Sequence, residues 1–178
     1  MTELRRLSVD DGQDVYDMLQ AIPMEENGFG NNAHGKTYEE YKAWLDSKHR
    51  ESIMEGITDG WKVPSTTYWL YADGIPVGFG KLRHCLSDAL RTAGGHIGYA
   101  IAPQYRGKGY GKELLRLLVR EAYEMGIDKV LVTVRLDNLV SQAVALANGG
   151  VITDKTDERV LIWIDTGTDR FHETDGGR

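Results

Sequence analysis

A single cysteine, Cys85, stands in a chain of 178 residues. That excludes an internal disulfide and any multi-cysteine metal site, so no metal is expected. No apolar run approaches membrane-spanning length. The opening Met1-Thr-Glu-Leu-Arg-Arg6 lacks the apolar core of a secretory leader. The expectation is a cytoplasmic protein with no membrane partner. Basic residues are in deficit, 21 Lys and Arg against 27 Asp and Glu, for a formal net charge of −6. That balance excludes broad attraction to nucleic acid. It is compatible with a cationic or amine-bearing substrate. No internal repeat or low-complexity linker divides the chain, so residues 1–167 are expected to form one domain and 168–178 a polar tail.

What is present reads as strands and helices in a definite order. With 41% hydrophobic and 27% charged residues, the chain is of ordinary globular composition and long enough for a real core. Residues 4–9 read as a strand, and Ser8-x-x-Asp11 opens a helix carrying Val15, Met18, Leu19 and Ile22. Pro23 lies at its end, and the glycine- and asparagine-rich stretch 24–36 is expected as a loop. Thr37-x-x-Glu40 opens a second helix, with Tyr41, Trp44 and Leu45 on one face, running to about Met54. Gly56, Gly60 and Pro64 mark a connection. Residues 66–72 and 77–83 read as strands joined at the Asp73-Gly74 turn. Residues 85–95 connect, with one helical turn. Residues 129–134 are nearly all apolar, as suits a strand buried on both faces. A short helix capped by Asp137 or Asn138 runs through Ala147, and two strands, 151–155 and 159–165, close the order. Such an order predicts an α/β sandwich with a mixed sheet.

One stretch organises these elements: His96-Ile-Gly-Tyr-Ala-Ile-Ala-Pro-Gln-Tyr-Arg-Gly-Lys-Gly-Tyr-Gly111. It starts as an apolar strand over 97–102. Pro103 stops that strand, having no N–H for the next ladder position. Arg106-Gly-Lys-Gly-Tyr-Gly111 then leads into a helix carrying Leu114, Leu115, Leu117, Leu118 and Val119. Strand, glycine turn and helix N-terminus together form an anion site, because the first amides lack intrahelical partners and the dipole favours negative charge. Glycine at 107, 109 and 111 removes side chains that would hold a phosphate off the backbone. A glycine turn without a ligand is the bland alternative. Other phosphate loops fit worse: Gly35-Lys36-Thr37 has no strand before it, and the glycine spacing at 107–111 is not that of a dinucleotide fold.

Arg106-x-x-Gly109-x-Gly111 resembles the Gln/Arg-x-x-Gly-x-Gly/Ala motif of the GNAT superfamily, the acyl-CoA-dependent N-acetyltransferases. Asn138-x-x-Ser141 resembles the family's Asn-x-x-Ala/Ser segment. The resemblance covers residues 66–155 well and the first 65 in element order. It implies a GNAT-like mixed, mostly antiparallel central sheet with splayed central strands and helices on both faces. It implies acetyl-CoA as co-substrate, held by backbone groups of Ile101 and Ala102, by the loop Arg106, Gly107, Lys108, Gly109, Tyr110 and Gly111, and by Lys112. It places Asn138 on the cofactor arm and Ser141 near the adenine side. Asn138 reads equally well as a plain helix cap, and Lys108 and Lys112 as a solvated face. The chain departs from the family at Ala145, where many members carry the tyrosine that protonates the leaving thiolate.

Acyl transfer from a thioester to an amine needs placement, loss of the ammonium proton, and a donor to the oxyanion. His96, at the start of the central strand, is the candidate base, with His84 as rival and an ordinary bonded strand histidine as the plain reading. Glu25 and Glu26 on the long loop 24–36 are the candidates for receiving an ammonium, with His34, Trp69 and Tyr71 as further lining. The expected activity is direct N-acetyl transfer to a primary amine of a small molecule, peptide or protein. The alternative is a catalytically silent acyl-CoA-binding sensor or scaffold. The acceptor is not legible, and a homodimer is an assembly this reading allows.

Overall fold

The structure, a computed structural model, describes residues 1–55 and 61–167. Gly56 and Gly60 of the expected connection, and the expected tail 168–178, lie outside the described residues. In chain order the elements are β1 (Thr2–Arg6), α1 (Gln13–Ala21), the short strands β2 (Glu25–Glu26) and β3 (Phe29–Gly30), α2 (Tyr38–Ile53), β4 (Ser65–Ala72), β5 (Ile75–Arg83), β6 (Ile97–Ile101), α3 (Tyr110–Glu124), β7 (Lys129–Arg135), α4 (Leu139–Ala147), β8 (Val151–Lys155) and β9 (Arg159–Asp165). Single 3-10 turns lie at Ala89–Arg91 and Pro103–Tyr105. No helix among the described residues is long and apolar enough to cross a membrane.

Four strands form one sheet in the order β1-β4-β5-β6, and three form another in the order β7-β9-β8. Every ladder is antiparallel. Between β6 and β7, the pair expected to diverge, there is no ladder among the described residues. Alternation along the strands divides the core in two. Leu82, Ile97, Ile101, Val130, Val132, Val134, Val160 and Ile162 pack on α3 and α4, where Leu114, Leu115, Leu118 and Ala145 meet them. Trp69, Tyr71, Phe79 and Ala102 pack on α1 and α2, with Val15, Leu19, Tyr41 and Leu45. Helices therefore cover both faces. A glycine at 80 lets α3 close in, since a Cβ there would stand 2.6 Å from Leu118 Cδ1.

Local chemistry sets the boundaries. Thr37 Oγ1 accepts the Glu40 N–H while the Glu40 carboxylate accepts the Thr37 N–H, a complete capping box for α2. Strand β1 ends earlier than residue 9 because the Ser8 N–H donates to Asp11 and turns the chain toward α1. The expected loop 24–36 contains a small hairpin. Asn27 and Gly28 both take positive φ, 52° and 84°, and pair Glu26 with Phe29. Buried Asn31 anchors the segment, its Nδ2 donating to the Leu19 and Ile22 carbonyls at the end of α1.

Candidate active site

Strands β6 and β7 meet at one point and open from it. The His96 N–H donates to the Leu131 carbonyl at 2.8 Å. The Leu131 N–H donates in return to His96 Nδ1, a side-chain atom, at 2.9 Å. Gly95 lies hard against this junction, where a Cβ would sit 2.4 Å from the Leu131 oxygen. Thr133 on β7 is tied to this junction, its Oγ1 accepting the Gly94 N–H at 2.9 Å.

This geometry bears directly on the role expected of His96. An Nδ1 that accepts a backbone N–H fixes the neutral ring with its proton on Nε2, so its one lone pair is engaged. The residue is 6% exposed, and its ring edge meets Trp163. Burial, with repulsion from Arg91 and Arg83, lowers its pKa from 6.5 to about 4. A base that must take an ammonium proton needs the lone pair that Leu131 holds. The rival His84 bonds Thr66 Oγ1 on β4, on the far side of β5 from the fork, at 2.8 Å.

At the other end of β6 the chain forms the cradle. Ala102 keeps its N–H on the Val77 carbonyl at 2.9 Å, and Arg106 Nε donates to the Ile101 carbonyl at 3.0 Å. The Ile101 carbonyl is thereby engaged within the protein. Gly107 and Gly109 take φ of 76° and 83° with open space where a Cβ would stand. No side chain caps α3, so its first-turn amides are free for an anion. Lys108 lies over the Tyr105 ring, 5.7 Å from its centroid. Asn138 caps α4 by accepting the Ser141 N–H at 3.2 Å. The donor set suits a pyrophosphate.

Across the fork, two hydroxyls face each other. Tyr99 Oη lies 3.3 Å from Ser141 Oγ. Burial raises the Tyr99 pKa, so the phenol keeps its proton. Ala145 is fully buried and its carbonyl accepts the Gly150 N–H at 3.0 Å.

The face of the sheet toward α1 and α2 forms the opposite wall. The hairpin tip bridges it: Phe29 packs on Gly98, where a Cβ would stand 2.6 Å from the ring. Neither candidate glutamate is uncommitted. Glu26 takes both terminal nitrogens of Arg106, at 2.9 and 2.5 Å. Glu25 Oε1 accepts the Gly28 N–H at 2.6 Å. Trp69 and Tyr71 are core residues bonded to Asp11 and Asp14. His34 sits beside the anchored segment with a buried Nδ1.

Sequence reasoning passed over Tyr99, Thr133, Phe29 and Arg159. Two signals were available: the glycine inside a strand at 98, which marks a close approach, and the alternation that turns Thr133 and Arg159 to one face.

The sequence model of the acetyltransferase (GNAT) family matches residues 25–149. The fold is similar to the Campylobacter jejuni N-acetyltransferase PseH solved with acetyl coenzyme A, at 12% identity and TM-score 0.63, covering 94% of this chain and 100% of that one. It is also similar to RimL, a ribosomal L7/L12 alpha-N-protein acetyltransferase solved with coenzyme A, at 16% identity and TM-score 0.68, covering 93% and 96%. A 61-residue stretch is 41% identical to DNA-directed RNA polymerase subunit beta' of Sulfurimonas denitrificans, spanning 32% of this chain and 4% of that protein.

Proposed function

Since the chain belongs to the GNAT acetyltransferase family, we propose that it moves an acetyl group from acetyl-CoA to a primary amine by direct attack within a ternary complex. The observation that carries this reading is the fork between β6 and β7, opening beside the uncapped first turn of α3. Backbone amides of 107–111 hold the pyrophosphate, with Arg106, Lys108 and Lys112 adding positive charge. Ala102 and Asn138 border the arm, Ser141, expected near the adenine side, joins them through its contact with Tyr99, and Ile101 helps through the strand it ends. The relatives' bound acetyl-CoA and CoA support the choice of cofactor.

Chemically, the amine nitrogen bonds the thioester carbonyl carbon, the C–S bond breaks, the ammonium loses a proton and the thiolate gains one. With the His96 lone pair engaged, the ammonium proton leaves to water. The Tyr99–Ser141 hydroxyl pair supplies the thiolate proton in place of the tyrosine absent at Ala145.

The test is thiol release from acetyl-CoA against a panel of primary amines, beside acetyl-CoA binding read as a thermal shift. Turnover with at least one amine supports transfer. Binding without turnover on any amine supports the silent acyl-CoA-binding reading, which the Ala145 departure and the engaged His96 favour. Absence of binding removes both.

A further inference from the structure

The wall opposite the cofactor has a basic floor. By strand alternation Lys81, Arg83, Arg135 and Arg159 face the same side as Gly98 and Thr133. Three of these cations have partners. Lys81 shares Glu51 with Lys48, at 3.9 and 3.1 Å. Arg83 donates to the Gly94 and Gly95 carbonyls. Arg135 pairs with Asp137 at 3.3 Å.

Arg159 differs. Among the described residues no carboxylate lies within ion-pair distance of it. Its backbone is fixed, the N–H donating to Thr156 Oγ1 at 3.0 Å and the carbonyl accepting the Thr156 N–H at 2.8 Å. Its guanidinium crosses toward the fork. Nη1 lies 3.5 Å from Thr133 Oγ1, and Nη2 fills the place of a Gly28 side chain, 2.5 Å from a Cβ there. Asp157 and Glu158, just before it in the turn, are exposed and left unpaired by it. Glu25, beside Gly28, keeps its Oε1 on the turn amide. Arg159 also lines a cleft of about 480 Å³ with Arg135, Leu136, Asp137, Asp157 and Glu158. A half-buried guanidinium held between the hairpin and β7, with no carboxylate of its own, presents the planar fork that matches a carboxylate.

Resting on the transfer reading above, we propose that Arg159 receives a carboxylate of the acyl acceptor, so that the acceptor is an amine that also carries a carboxylate, as an amino acid does. Carboxylate and ammonium then enter together, and the mixed charge of the cleft rim suits such a zwitterion. Recognition then rests on the acceptor's carboxylate at Arg159 rather than on its ammonium at Glu25 and Glu26, which are engaged by the Gly28 amide and Arg106.

The experiment compares amino acids with their carboxamides and with aminoalkyl phosphates, in the full chain, by thiol release. The free acids are expected to exceed their amides about 10- to 100-fold in kcat/KM. Arg159→Ala should remove that preference through KM, with kcat and the acetyl-CoA thermal shift unchanged, and Arg159→Lys should restore part of it. Amides or phosphates that match the acids, or a preference that survives in Arg159→Ala, overturn the proposal. Should no amine turn over, the transfer reading falls, and calorimetry of the same acids and amides with CoA-saturated protein still decides Arg159. Binding of acids, lost in Arg159→Ala, supports it, and no binding or equal binding sinks it.

Discussion

His96 and Leu131 exchange two hydrogen bonds across strands that share no ladder, and one of the four atoms is an imidazole nitrogen. The ring stands where a backbone carbonyl would sit in a continuing sheet, so it ends the pairing and opens the fork in one step. Protonation would turn Nδ1 from acceptor to donor against the Leu131 N–H. The folded pKa is about 4 against 6.5 for the free group, so between those values the unfolded chain binds the proton and the folded chain does not. Stability is therefore full above about pH 6.5 and falls toward pH 4, by about 3 kcal/mol from this group. Urea midpoints at pH 7.5 and 5 should show about 2 kcal/mol of this loss in the wild type and a smaller one in His96→Asn, whose side-chain oxygen can still accept from Leu131. His96→Ala should be less stable than His96→Asn at both values, by about 1–3 kcal/mol for the buried N–H left unpaired. Equal pH slopes in all three proteins would remove the pin.

The fold was largely legible because its punctuation is local. The Thr37–Glu40 box and the Asp73-Gly74 turn each act within a few residues. The glycine turn that opens α3 was legible for the same reason, being one contiguous loop. The contacts between the hairpin and that turn were not. Arg106 and Glu26 are 80 residues apart in sequence, and no local pattern says that a cation of the cradle will take up a carboxylate of the hairpin. The environment of His96 was not legible either, because its Nδ1 accepts from a strand 35 residues later.

Gly109 provides the test of the cradle. Its positive φ of 83° and the open space beside it mean that a larger residue meets strain and whatever ligand approaches, but no neighbouring side chain. Gly109→Val should cost about 1–2 kcal/mol in stability from the left-handed backbone. It should also abolish the thermal shift given by acetyl-CoA. A variant that is destabilised yet binds the cofactor normally would place the phosphates elsewhere.

The Glu26–Arg106 pair joins the hairpin to the cradle. Both side chains are partly exposed, 33% and 42%, so breaking the pair should change stability by less than about 1 kcal/mol. The informative readout is affinity. In Glu26→Gln, Arg106 carries its full charge toward the phosphates, and CoA should bind more tightly, by up to about fivefold at low salt, with the gain shrinking as salt is added. Calorimetry at two ionic strengths measures this. An affinity that does not move with the substitution would keep Arg106 out of the phosphate site.

Gly98 separates the two walls of the site. A Cβ at this position would stand 2.6 Å from the Phe29 ring, so even alanine must push the hairpin tip away from β6. The strand itself tolerates the change, because Gly98 has no positive φ. The cradle at 106–111 lies at the opposite end of β6 and is joined to the hairpin through Glu26, the partner of Phe29, and Arg106. Gly98→Ala should raise the acceptor KM several-fold, by roughly 1 kcal/mol of lost positioning, with acetyl-CoA affinity moving no further than it does in Glu26→Gln. Gly98→Val should do so more strongly. Steady-state kinetics on both variants, with acetyl-CoA binding measured separately, carries the decision. If the acceptor KM stays constant, the hairpin does not border the acceptor. If cofactor affinity falls in step with it, the fork transmits the displacement of Phe29 along β6 to the cradle.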